Sequence, residues 1–177
     1  MEAIDFSALE DLVYENRLIG ENSVHGLLHW HQVEFNGLLL SRETLADKTV
    51  VRLFALFHDS RRVSDSYDEE HGKFGAEFAR KLFGKRFSLD KLRFEKLLYA
   101  CANHTTEYAS GDVTIDTCYD ADRLDLGRVG IVPDPKRMAT PFGKKLAQKI
   151  QDVPPERHRE WIQNFAETNF GRFASKF

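Results

Sequence analysis

Val50-Val51-Arg52-Leu53-Phe54-Ala55-Leu56-Phe57 runs directly into His58-Asp59. A helix this rich in Leu, Val and Phe belongs in an interior. A histidine and a carboxylate side by side where it emerges are costly unless something uses them. Neighbouring residues on a helix point about 100° apart, so both side chains can lean on one ion near the helix end. A divalent cation fits that description, because imidazole and carboxylate are both good ligands for it.

Helical spacing recurs on both sides of this run. Few segments alternate with a period of two, and most place apolar residues three and four apart. Phe6, Leu9, Leu12, Val13 and Leu18 predict a first helix stopped at Gly20. Ser23 is placed to cap a second, with Val24, Leu27, Leu28, Val33 and Leu38 to Leu40 on its apolar face. Thr49 to Phe57 is the third and most buried, and 65–70 reads as a polar loop. Phe74, Phe78, Leu82 and Phe83 mark a helix ending near Gly84, and Ser88 opens another that runs through Leu89, Leu92, Leu97, Leu98 and Cys101. Asp112 to Leu126 reads as one helix, Ile131 to Pro135 breaks regular structure, and a last helix runs from about Pro155 to Phe170. The expectation is an all-α helical bundle, one domain spanning 1–177 with no internal repeat and no linker.

Composition narrows the class. The 177 residues suffice for one domain with a sizeable core, and the net charge of -3 is too small to point to nucleic acid or a membrane surface. Cys101 and Cys118 match neither a zinc motif nor a disulfide framework. The N-terminus, Met1-Glu2-Ala3-Ile4-Asp5, has no signal-peptide core, and no apolar stretch approaches the roughly 20 residues of a membrane span. A cytoplasmic protein is expected, with no membrane partner.

Four regions carry polar residues that look out of place. Ser23 to Val33 contains His25 and His29, four apart and so expected on one helix face, and His31, expected to face solvent. His58-Asp59-Ser60-Arg61-Arg62 is the second, and His71 before Gly72 with His104 after Asn103 the third. The fourth is Asp120-Ala121-Asp122-Arg123-Leu124-Asp125, in which Asp122 is flanked by core residues and Asp120 and Asp125 read as surface or supporting acids. A mononuclear set of two imidazoles and two carboxylates suits Mn, Fe, Co, Ni or Zn, and Mg less well.

The order His29, His58-Asp59, Asp122, with Leu56-Phe57 before the pair and Ala121-Asp122-Arg123-Leu124 late in the domain, resembles the HD superfamily of metal-dependent phosphohydrolases. The resemblance covers roughly 22–128, leaving 129–177 as a helical C-terminal extension. It implies an HD-type fold in which His29, His58, Asp59 and Asp122 bind one divalent metal. It also implies hydrolysis of a phosphate ester, with a nucleotide as the expected small-molecule substrate. Water activated by the cation would attack phosphorus, with Asp59 helping to orient or deprotonate it. Some branches of the superfamily hold two metals bridged by the aspartate of the pair. His71 and His104 are placed like the extra histidines of that second site, or else to contact a substrate phosphate, as are His25 and Arg123. The paired histidines and Gly-Tyr-Pro motif of the cyclic-di-GMP branch are missing, since Thr105-Thr106 follow His104. Arg62 and Arg61 follow the pair and offer donors suited to phosphate oxygens, with Arg123 and Arg128 as further candidates.

Blander readings stand beside these. Alone, His29 would be a core histidine, and His58 a helix-end residue compensating the dipole, which leaves Asp59 unexplained. Asp122 can pair with Arg52 or Arg123 in a structural salt bridge, and His158 sits in a charged run with no assigned role. Two other functions fit the same residues: a regulatory module that binds metal or nucleotide without turnover, and a di-iron oxygenase.

Overall fold

The computed structural model describes residues 4–171; the remaining ends of the expected 1–177 domain lie outside the described residues. Eight α-helices follow one another: α1 Phe6–Glu15, α2 Leu27–Thr44, α3 Lys48–Phe57, α4 His71–Leu82, α5 Lys91–Asn103, α6 Val113–Arg123, α7 Pro141–Lys149 and α8 His158–Phe170. No strand occurs among the described residues, and the all-α expectation holds. No described helix is long and apolar enough to cross a membrane.

Helix α3 is the centre of the molecule. Asp47 caps it, accepting from the Thr49 and Val50 amides at 2.9 and 3.1 Å. Thr49-Val50-Val51 are indifferent helix formers, costing a few tenths of a kcal/mol each. Burial of Val50, Val51, Leu53, Phe54, Leu56 and Phe57 outweighs that, at about 1.5–3 kcal/mol per side chain. Helix α2 packs against α3 and α6, and α4 packs against α5.

Helix α4 is drawn in by small residues. A Cβ on Gly75 would stand 2.3 Å from the Phe57 carbonyl, and one on Gly72 2.3 Å from the Cys101 carbonyl. Only glycine lets α4 pass between the end of α3 and the end of α5 at that distance. The close approach brings His71, the first residue of α4, toward the His58-Asp59 corner.

Several helix limits differ from the sequence expectation. Helix α2 begins at Leu27 with Gly26 as its N-cap, so Ser23 does not cap it. Instead the Ser23 hydroxyl donates to Asp65 and accepts from the His25 amide. Asp90, not Ser88, caps α5, accepting from the Arg93 amide at 3.0 Å. Helix α6 ends at Arg123, and Leu126–Val129 forms a separate 3-10 turn. Helix α7 is new. Thr140 caps it and Pro141 takes its first position. The buried Asp120 carboxylate fixes that corner, accepting from the Ala139 and Thr140 amides at 2.8 Å and from the Thr140 hydroxyl at 2.7 Å.

Candidate metal centre

Five helices deliver side chains to one buried point. His29 comes from the first turn of α2, His58 and Asp59 from the end of α3, His71 from the start of α4, and His104 from the end of α5. Asp122 comes from the last turn of α6 and closes the open side. His29, His58, Asp59, His71 and His104 are all nearly inaccessible, whereas the Asp122 side chain keeps 17% exposure and marks the mouth.

The second nitrogen of each ring fixes its orientation. His29 Nδ1 donates to Asp125 Oδ2 at 2.8 Å, and His58 Nδ1 donates to the Phe54 and Ala55 carbonyls at 3.1 Å. His104 Nδ1 donates to the Cys101 carbonyl at 2.8 Å, and His71 Nδ1 to the Asp68 carbonyl. With a proton held on Nδ1, each ring in its neutral form turns a bare Nε2 lone pair inward.

Those lone pairs meet carboxylate oxygens. His29 Nε2 lies 3.1 Å from His58 Nε2, 3.5 Å from Asp59 Oδ2 and 3.3 Å from Asp122 Oδ1. His58 Nε2 lies 3.7 Å from Asp59 Oδ2 and 4.0 Å from Asp122 Oδ1. On the other side of the same carboxylate, Asp59 Oδ1 is 3.1 Å from His71 Nε2 and 3.7 Å from His104 Nε2, with the two nitrogens 3.2 Å apart. The buried Asp59 Oδ1 has no hydrogen-bond donor among the described residues. Lone pairs pointed at one another and at an orphaned carboxylate oxygen repel unless positive charge sits among them.

The residues therefore fit a divalent cation. Ligands about 2.1 Å from a common ion stand about 3.0–4.2 Å from each other, the spread found here. Three overlapping groups can each hold an ion: His29, His58 and Asp122; His58, Asp59 and His104; and His25, His29 and Asp59.

The carboxylates around the centre favour positive charge there. Burial pushes His29 down and Arg128 adds to that, yet the carboxylates of Asp122, Asp125 and Asp59 hold it up at about 10. Burial dominates at His58 and pulls it to about 3. Burial would raise Asp59 and Asp122. The facing His58 and the nearby imidazoles of His104, His25 and His29 hold Asp59 well below the usual range, and His29 with Arg128 does the same for Asp122.

The structure gathers most of the sequence candidates, with corrections. His25 and His29 do not share a helix face, because Gly26 starts the helix between them. His25 reaches the centre from the preceding turn and donates through Nδ1 to Asp59 Oδ2 at 2.7 Å. His31 is half-buried and pairs with Glu10 at 3.0 Å. Asp120 and Asp125 are not surface acids but fully buried ones. Arg52 pairs with Glu34 rather than Asp122.

The arginines divide. Arg62 is buried, donating to the Ser64 and Ser66 carbonyls, with Nη1 3.7 Å from Asp59 Oδ1. Arg61 turns away, donating to the Asn16 carbonyl over the Phe78 ring. Arg123 is spent on the carbonyls of Glu107, Tyr108 and Arg137. Arg128 faces Asp122 Oδ1 at 3.9 Å and donates to the Val24 and Asp125 carbonyls. The bond from Arg159 to Asp125 escaped sequence reading, since no spacing links residues on separate elements.

With this geometry in place, comparison with known proteins is informative. No family model matches the chain, and no curated protein does. Among solved structures, it is similar to a protein described as a predicted HD superfamily hydrolase from an uncultured Thermotogales bacterium. The TM-score is 0.68 at 22% identity, over 93% of each chain.

The chain has the HD-domain fold. Its His58-Asp59 pair stands where the buried helix emerges, with His29 and Asp122 facing it, and these buried groups can hold a metal ion.

Proposed function

We propose that this HD-domain chain is a metal-dependent phosphohydrolase whose substrate is a phosphate ester, a nucleotide first among them. The observation that carries the reading is the arrangement of four imidazoles, each with Nδ1 tied to an acceptor outside the cluster and Nε2 aimed inward at Asp59 or Asp122. His29, His58, Asp59 and Asp122 would hold one cation. His71 and His104, with Asp59 Oδ1, would hold a second, since that oxygen has no hydrogen-bond donor. When bound, such ions supply Lewis-acid activation of water and neutralise charge on a phosphoryl group.

The chain's own residues do the rest. Asp59 spans both halves of the cluster and would orient a water held between them. His25, hydrogen-bonded to Asp59 Oδ2 at the rim, orients that carboxylate. Arg62 fixes its guanidinium beside Asp59 Oδ1 through two carbonyls of the 64–66 loop, so positive charge is already in place where charge collects on a transferring phosphoryl group. The buried Phe54 ring stacks on His58 and meets His104 edge to face, and so helps keep bulk water from both rings.

The test is a screen of phosphate release from phosphomonoesters, phosphodiesters and nucleotides. The chelated chain is reloaded in turn with Mn, Fe, Co, Ni, Zn or Mg. Metal-dependent release from one class supports the reading. Tight metal and nucleotide binding with no turnover under any ion would overturn it in favour of the regulatory module. An oxygen-dependent visible spectrum after anaerobic iron loading would overturn it in favour of the oxygenase.

A further inference from the structure

Helix α8 reaches back to the centre through a pair of side chains. Arg159, on α8, donates from Nε to Asp125 Oδ1 and from Nη2 to Asp125 Oδ2, both at 2.7 Å. Asp125 Oδ2 also accepts from His29 Nδ1 at 2.8 Å. Asp125 is 1% exposed, so its charge has no alternative partner in water. A two-pronged grip of this kind is the strongest geometry a guanidinium offers a carboxylate.

The surroundings show a built joint rather than a chance surface pair. The Asp125 amide donates to the Asp122 carbonyl at 2.9 Å, so one turn carries both a candidate ligand and the brace of another. The same turn is pinned from outside. A Cβ on Gly127 would stand 2.5 Å from the Pro155 carbonyl and 2.8 Å from His158 Nδ1. The His158 ring is locked in turn, donating from Nε2 to the Val153 carbonyl at 2.8 Å. The segment 153–159 is thus fitted against 125–128, and Arg159 is its one charged contact with Asp125.

We infer that Arg159 is a positioning residue of the candidate metal centre, holding Asp125 so that His29 keeps its proton on Nδ1 and aims Nε2 at the ion. The inference rests on the metal-binding reading above. Without the guanidinium, Asp125 is a buried carboxylate without its cation. It would then swing toward water, and His29 would lose a fixed acceptor. Outer partners of metal-bound histidines are typically worth about 10–100-fold in metal affinity. The C-terminal extension would then belong to the site, rather than following it.

The experiment is a calorimetric Mn titration of the chelated full-length chain. The variants are wild type, Arg159→Ala, Arg159→Lys, Asp125→Asn and the Asp125→Asn/Arg159→Ala double, with Arg157→Ala as a control whose exposed partner is Glu160. Arg159→Ala is expected to weaken Mn binding about 10–100-fold. Arg159→Lys should recover part of the loss, Arg157→Ala none of it being lost. In the Asp125→Asn background, Arg159→Ala should add nothing further, which a merely structural role through α8 packing would not produce. Equal Mn affinity in wild type and Arg159→Ala overturns the inference and leaves the metal reading intact. So does a full loss from Arg159→Ala in the Asp125→Asn background. If Arg159→Ala does not fold, Arg159→Gln, which removes the charge but keeps most of the side chain, carries the same comparison, and wild-type affinity there is equally fatal. A wild-type chain that takes up no Mn overturns the metal reading and this inference together.

Discussion

On the Oδ2 side of Asp59, His29 is braced by a buried carboxylate that a guanidinium from α8 grips in turn. On the Oδ1 side, His71 and His104 are braced by backbone carbonyls three residues upstream in their own segments, those of Asp68 and Cys101. The two halves meet on one side chain, and the rings of His58 and His104 stand edge to face 5.2 Å apart. A carbonyl brace comes with the local fold, carries no net charge and survives any side-chain change. A carboxylate brace must be assembled from distant parts of the chain, adds negative charge behind the ring, and can be removed by one substitution. The Oδ1 half is therefore set by local backbone, whereas the Oδ2 half joins a backbone-braced ring, His58, to one set by tertiary contact, His29.

The largest effect should come from the residue the halves share. Asp59→Ala removes both Oδ1 and Oδ2, and we expect loss of all bound metal. We also expect a fall in kcat/KM of at least about a thousandfold, or about 4 kcal/mol of barrier. Metal content by mass spectrometry and initial rates on the best substrate of the screen check this. A variant that keeps one ion would mean the halves do not depend on a common bridge.

Next come substitutions that separate the halves. Asp122→Ala strips the Oδ2 side and His104→Ala the Oδ1 side, and each is expected to lower the metal count from two ions per chain to one. The comparison breaks if His104→Ala leaves the count unchanged, because His71 and His104 would then be substrate contacts.

The same contrast explains what the sequence disclosed. His58-Asp59 was legible because a polar pair at the end of Val50 to Phe57 conflicts with the burial of that helix, and Asp122 because Ala121 and Leu124 flank it. The helical class followed from spacing. The misread limits fall where a short-range signal had two interpretations: Ser23 looks like a cap, yet Gly26 starts α2, and the four-residue interval from His25 to His29 imitates a helix face. Helix α7 has no counterpart in the sequence expectation, although Thr140-Pro141 is itself a helix-start signal. The grip of Arg159 on Asp125 has no local pattern at all. His158 and Arg159 belong to a charged run to which the sequence assigns no role, and tertiary packing buries His158.

A smaller effect probes the backbone-braced half. Gly72→Ala places a Cβ 2.3 Å from the Cys101 carbonyl and 3.2 Å from the His104 ring. Neither neighbour is a flexible chain end, so α4 must move. Overpacking of this kind costs about 1–3 kcal/mol. Thermal unfolding of the chelated chain should show the loss, and Mn titration should show one weakened site and one unchanged. If both sites weaken alike, the halves are mechanically coupled, and the distinction between local and distant bracing fails.

The smallest effect is expected at Arg61. Its guanidinium donates to the Asn16 carbonyl and lies 5.0 Å over Phe78, so it joins the residues after α1 to α4 and stands outside both halves. A cation over a half-buried ring at the edge of the core is worth about 0.5–1 kcal/mol. Arg61→Ala should therefore lower the unfolding midpoint slightly and change kcat/KM by no more than about twofold, as for substitutions away from a site. Its neighbour, with Nη1 3.7 Å from Asp59 Oδ1, provides the contrast, and Arg62→Ala should cost about a hundredfold. Equal losses from the two would mean that the arginines act as a general field of positive charge. A loss confined to Arg62 would mean that one fixed guanidinium, held by the 64–66 carbonyls, serves the Oδ1 half alone.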